Sequence, residues 1–296
     1  MALYAFDGTW NKKRDAGEYG KNTNVVKFHQ AYTGKINFYT KGVGTKLGFI
    51  GKFFGGAFGA GGKERIEKAY NELCQAYAAG DTDIDIIGFS RGAALAVHFA
   101  NTIQSKGIWD PRSGKIKEKS PSIRFLGLWD VVASFGIPFD IFGIPFHWIN
   151  LGYKLTLPNN VQHCFHALAL DERRQTFRPT RMRGGYEVWF RGEHSDVGGG
   201  NENPGLNNIA LRWMMKKALA VGLPIKLDAV PTLAATEPDA PIKPPFDILK
   251  QEFRKVKAED WVHFTVQPRE PNEHNNPPAG AQQETSLDEE QRLALA

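Results

Sequence analysis

A serine, an aspartate and a histidine, each placed directly after an apolar run, are the residues of this chain best suited to chemistry. Ser90 stands in Gly88-Phe89-Ser90-Arg91-Gly92, behind the isoleucine-rich run 83–87 and ahead of an Ala/Leu-rich segment. A β-branched run, a Gly-x-Ser-x-Gly turn and a helical pattern, in that order, describe a sharp strand-to-helix corner. Such a corner lifts a serine hydroxyl clear of a sheet. Gly88 and Gly92 are needed because a side chain at either place would collide where strand and helix approach. The helix N-terminus adds positive potential beneath a developing oxyanion. The alternative is an ordinary strand-turn-helix corner with a buried serine.

An unassisted serine is a poor nucleophile. It needs a base to take its proton, and a carboxylate to hold that base in the right tautomer. Asp130 follows Phe125-Leu126-Gly127-Leu128-Trp129, which places it at a strand end. His194 lies in a loop flanked by Gly192 and Gly198-Gly199-Gly200, which lets an imidazole be aimed tightly. The order serine, acid, histidine is that of the α/β-hydrolases. Asp196, Asp171 and Asp140 are rival acids; Asp196, two residues from His194, is better placed to brace the loop. A turn or helix-capping role is the plain alternative for Asp130. The oxyanion needs two backbone donors. The N–H of Arg91 is one, and Gly8 or Thr9, after the first strand, is the source of the other. His163 and His166 would share a helix face, but no third ligand is spaced to complete a metal site, so neither metal nor cofactor is expected.

These residues need elements to position them. Strands are predicted at 2–6, 36–40, 83–88, 123–129 and 186–190, with a last one at 261–266. Helices are predicted at 22–33, 63–79, 91–106, 161–173 and 206–221, with a short candidate at 246–256. Alternation of strands and helices implies an α/β fold, a mostly parallel sheet covered on both faces. Asp7, Ser90, Asp130 and His194 all follow strand ends, where such sheets place reactive groups. One domain is expected over 1–267, with lid-like insertions at about 45–62 and 133–160. Residues 268–296 read as a polar, poorly ordered tail. Phe49, Phe53, Phe54 and Phe58 crowd the first insertion. Phe135, Phe139, Phe142, Phe146 and Trp148 crowd the second. They form either a packed cap or an acyl-binding lid that touches a bilayer.

The net charge is +5, with basic runs at 115–119 and 178–183. These suit a soluble basic surface, or attraction to anionic lipid and phosphate head groups. No aromatic-basic interleaving suggests nucleic acid. Cys74 and Cys164 read as buried thiols. The opening apolar run is too short for a signal peptide and no stretch suits a membrane span, so synthesis in the cytoplasm is expected.

Six segments occur in a telling order: Phe6-Asp7-Gly8-Thr9-Trp10-Asn11, Gly42-Val43-Gly44-Thr45, Gly88 to Ala93, Leu128-Trp129-Asp130-Val131-Val132, His166 to Arg173, and the 189–200 loop. The set resembles the α/β-hydrolase domain family that includes the Tle1-like lipase effectors of type VI secretion. The resemblance runs from about residue 3 to 224. It implies that Ser90, Asp130 and His194 are a catalytic triad and that the activity is phospholipase A on membrane glycerophospholipids. It also implies export in folded form to a target cell's periplasm, with a secretion spike and an immunity protein as partners. The long membrane-anchoring insertions of the larger effectors are missing. A soluble short-acyl esterase or thioesterase, and a non-catalytic hydrolase-like binding domain, are the competing expectations.

Overall fold

Both faces of the first strand are apolar, and the structure buries both. Leu3 and Ala5 enter one core cluster, while Ala2, Tyr4 and Phe6 enter another. A strand covered on both sides belongs inside a sheet with helices above and below it. The computed structural model describes residues 1–8, 21–41, 57–133, 153–243 and 251–285 and shows that arrangement. In chain order the elements are β1 (Ala2–Phe6), α1 (Asn24–Ala31), β2 (Ile36–Thr40), α2 (Ala57–Ala78), β3 (Ile84–Phe89), α3 (Ser90–Lys106), β4 (Ile108–Trp109), β5 (Ile116–Glu118), β6 (Ile123–Trp129), β7 (Val161–Ala169), β8 (Tyr186–Phe190), α4 (His194–Gly198), α5 (Pro204–Ala220), β9 (Trp261–His263) and β10 (Gln282–Glu284). The main sheet runs β2-β1-β3-β6-β7-β8-β9-β10, and all its pairings are parallel. Helices α1 and α5 contribute to one core, α2 and α3 to the other.

The chain adds β2 on one side of β1, then returns to lay β3 on the other. At such a reversal the connections leave a crevice outside the carboxyl ends of the strands. Asp7 ends β1 and Ser90 follows β3, so the reversal falls between them.

Three expectations are corrected. Residues 161–169 form β7 rather than a helix. Residues 164–169 are buried whichever way they point, and a short run apolar on both faces carries no period to separate strand from helix. The helix expected from 63 starts earlier, at Ala57, inside the stretch read as a lid-like insertion. Gly62 serves close packing, since a Cβ there would run into the Tyr153 hydroxyl. Finally, the polar C-terminal segment is part of the fold through Thr285. β10 extends the sheet beside β9, and Asn275 bonds to Leu170 O and Arg254 O. The short helix expected at 246–256 is not helical over 251–256; its first part, 246–250, lies outside the described residues. So do residues 45–56 and 133–152 of the two lids apart from Ala133, including Phe135, Phe139, Phe142, Phe146 and Trp148.

The C-terminal segment also buries charge. Lys217 of α5 meets Glu284 of β10 at 2.8 Å, with both side chains at most 1% exposed. Trp213 donates to the same carboxylate at 2.8 Å. Removing one member of a buried pair strands the other charge, typically at about 3–5 kcal/mol. Glu284→Ala should therefore lower the unfolding free energy by about that amount in urea titrations. A loose tail would give a change within about 0.5 kcal/mol, as for ordinary surface substitutions.

Candidate active site

The corner after β3 is built as its glycines require. A Cβ on Gly88 would sit 2.6 Å from the Ala93 Cα, and one on Gly92 would sit 2.3 Å from Phe6 O and 2.4 Å from Asp7 O. Gly92 therefore lets the first turn of α3 lie against the end of β1. Ser90 has a φ of +59°, in the left-handed region that non-glycine residues seldom adopt. Strain of this kind persists only where the surroundings enforce it, and it concentrates at functional sites. Asp130 is the other non-glycine residue with positive φ among the described residues, at +41°.

Asp130 directly follows β6, and its carboxylate is fully buried. Its Oδ2 accepts from His194 Nδ1 at 2.5 Å, and its Oδ1 accepts from Ala169 N at 3.1 Å. Arg254 grips both oxygens, Nη1 to Oδ1 at 2.6 Å and Nη2 to Oδ2 at 2.9 Å. Burial alone would raise the Asp130 pKa. The Arg254 charge and the His194 bond outweigh it and hold the carboxyl well below its ordinary value.

His194 opens α4, with its imidazole between the rings of Phe89 and Phe177 at 4.6 and 4.8 Å. Burial lowers its pKa, opposed in part by the bond to Asp130. With the Nδ1 proton donated to Asp130, the neutral ring carries its lone pair on Nε2. The stack on Phe89 brings the imidazole beside the residue that precedes Ser90. Asp130, not Asp196, accepts from the imidazole. Asp196 braces the loop, accepting from Glu193 N at 2.9 Å, Asn201 at 2.7 Å and Asn203 at 3.0 Å. Asp171 is occupied by Arg191 at 2.7 Å. Asp140 lies outside the described residues.

Behind β1, Asp7 binds Tyr39 at 2.7 Å, Thr23 at 3.0 Å and the Gly8 amide at 2.7 Å. Burial raises its pKa to about 6 despite those bonds. The Gly8 N–H is thus directed at Asp7, which is a correction to its expected role as an oxyanion donor. Thr9 lies outside the described residues.

Several residues of the site went unread in the sequence. Arg254 falls in the segment 246–256 that was read as a short helix, so no site role was assigned to it. His166 accepts from Val131 N at Nε2 (3.1 Å), so its Nδ1 proton goes to Glu187 at 2.9 Å. His163 and His166 lie on a strand, not a shared helix face. No cluster of three metal-ligating side chains occurs among the described residues. Glu172 accepts from His194 N at 3.3 Å and from Arg174. Both His166 and Glu172 belong to the segment 166–173, whose motif was the signal that could have found them.

A parallel sheet in this order, with a serine on a strained corner after its third strand, defines the α/β-hydrolase class. The family model for the catalytic domain of Tle1-like type VI secretion phospholipase effectors matches residues 3–116 and 109–217, and this chain belongs to that family. An uncharacterized protein from Pseudomonas aeruginosa shares its fold, with 22% identity and a TM-score of 0.50 over 76% of this chain and 46% of that one. A structure titled as the Tle1 effector bound to the VgrG spike of the type 6 secretion system aligns with 26% identity and a TM-score of 0.44. That alignment covers 68% of this chain and 52% of its own. The chain thus spans about half the length of these solved proteins. No curated protein matches it.

The His194 imidazole should titrate below pH 6.5 when followed by NMR, because burial disfavours its cation. In Arg254→Met the Asp130 charge loses its counter-ion and favours the imidazolium more strongly, so the midpoint should move up. An unchanged midpoint would show that Arg254 has no electrostatic hold on the pair.

Proposed function

We propose that this protein is a serine carboxylic-ester hydrolase acting on membrane glycerophospholipids as a phospholipase A. The observation that carries the reading is the 2.5 Å bond from His194 Nδ1 to a buried, ionised Asp130, with the imidazole 4.6 Å from the ring of Phe89, which directly precedes a serine on a strained corner. Ser90 attacks the acyl carbonyl while His194 Nε2 takes its proton. The same imidazolium then gives that proton to the leaving alcohol. Asp130 fixes the tautomer and stabilises the transient cation. Its own proton affinity stays low because Arg254 holds it, so it remains an acceptor throughout. The N–H of Arg91 supplies one oxyanion donor, and a backbone N–H of the loop after β1 supplies the other. Water then repeats the sequence on the acyl-enzyme.

The family's description as type VI secretion effectors supports delivery by that route. A secretion spike and an immunity protein are the partners we propose on the same ground, and a target-cell periplasm is the proposed destination. Contact with a membrane surface follows from the substrate. No helix among the described residues is long and apolar enough to cross a membrane.

The test is mass analysis of lipids after incubation with phospholipid vesicles, paired with fluorophosphonate labelling. Free fatty acid and lysophospholipid should appear, and the label should sit on Ser90. Ser90→Ala should lose both, with turnover reduced by about 10⁴-fold or more, because triad members act as a unit. Labelling without lipid products, together with turnover of short p-nitrophenyl esters, would point to a soluble ester instead. Full activity in Ser90→Ala would remove the scheme.

A further inference from the structure

Arg254 lines a cavity of about 390 Å³ together with Arg174, Arg178, Arg181, Lys255 and Lys257. Among the described residues Glu252 is the one acidic residue in its lining, and it meets Arg178 at 3.9 Å. The basic side chains do have carboxylate partners, but these stand outside the lining. Arg174 is held by Glu172 at 2.6 Å, Arg181 by Glu187 and Asp260 at 2.7 Å each, and Arg254 by Asp130 at 2.6 Å. The charges are therefore sorted. Anionic groups lie behind the wall, and cationic groups line the space.

Carboxylates that hold a guanidinium from behind fix its plane, and a fixed guanidinium plane suits phosphate. The pairs of Arg181 engage Nε, Nη1 and Nη2 once each, so two of its five N–H bonds are not used by them. Arg254, only 5% exposed, has an Nε with no hydrogen-bond partner. Lys255 is exposed and has no ion-pair partner among the described residues. Trp189 forms part of the wall, with Arg181 packed over its ring at 5.5 Å. A positively lined cavity whose wall includes a residue with an unsatisfied buried donor suits a multiply accepting anion.

We propose that this cavity binds a phosphate group, as a monoester or a diester. The site abuts the catalytic machinery. Arg254 serves both, and the turn 175–177 carries Phe177 against His194 on one side while Gln175 lines the cavity on the other. A phospholipid head group is one source of such a phosphate, and that assignment rests on the function proposed above. Free phosphate or a soluble phosphate ester is the other source.

The test uses full-length protein carrying Ser90→Ala, so that binding is read without turnover. Inorganic phosphate titrated by calorimetry at low ionic strength should saturate one site. Adding Arg178→Glu and Lys255→Glu should weaken that binding by about 10-fold or more, since charge-assisted bonds are among the stronger ones. Arg178→Gln with Lys255→Gln should give a smaller loss in the same direction, and thermal melts confirm that each variant folds. Sedimentation with phosphatidylglycerol vesicles separates the sources. Binding that inorganic phosphate competes away assigns the site to the head group, whereas phosphate binding without such competition assigns it to a soluble anion. Absent saturation, or saturation unchanged by charge reversal, overturns the proposal. Hydrolysis of p-nitrophenyl butyrate by the Ser90 protein reports separately on the triad, so loss of one reading is distinguishable from loss of the other.

Discussion

The site depends on keeping one carboxylate ionised where no water reaches it. An isolated charge in such a place would take up a proton, because desolvation disfavours the charged form. Asp130 avoids that by receiving Arg254, His194 and the Ala169 amide together. Each donor comes from a different part of the chain, so the carboxylate is a convergence point of the fold. Arg254 also donates to the carbonyls of Ala169 and Phe177, which ties the turn that packs on the imidazole to the same cation. Orientation of His194 and neutralisation of Asp130 are one structural arrangement.

The second constraint is closeness of backbone. The end of β1 and the first turn of α3 touch at Gly92, and Gly88 allows the helix to fold back onto β3. Only with both contacts can Ser90 hold its left-handed conformation over the crevice where the sheet reverses direction. Gly62 plays the same part where α2 meets Tyr153. The glycines at these three places are packing residues, chosen for what they leave out.

Much of this was legible in the sequence. The strands at 123–129 and 186–190 were read to the residue, because each is a short apolar run between clear breaks. The elbow was legible because strand, glycines and helix follow one another locally. The 161–169 strand was not, since burial on both faces erases the alternation that marks a strand. The start of α2 was read at 63 rather than 57, because a glycine chosen for close contact, as Gly62 is, looks the same in sequence as one chosen for flexibility. Arg254 and Glu284 were missed for a different reason. Nothing local sets either residue apart as a buried charge, and only the tertiary fold shows which buried partner it neutralises. The roles of the C-terminal segment are long-range, and no local pattern encodes them.

One consequence concerns the order in which the chain leaves the ribosome. Serine, aspartate and histidine have all emerged by residue 194, but the guanidinium that neutralises Asp130 arrives some sixty residues later, and Glu284 later still. Until then a nascent chain has an acid without its counter-charge and a lysine on α5 with nothing to meet. The cluster of Asp130, His194 and Arg254 is therefore completed late in synthesis. For the phospholipase proposed above, such a delay is a safeguard built into the order of its residues.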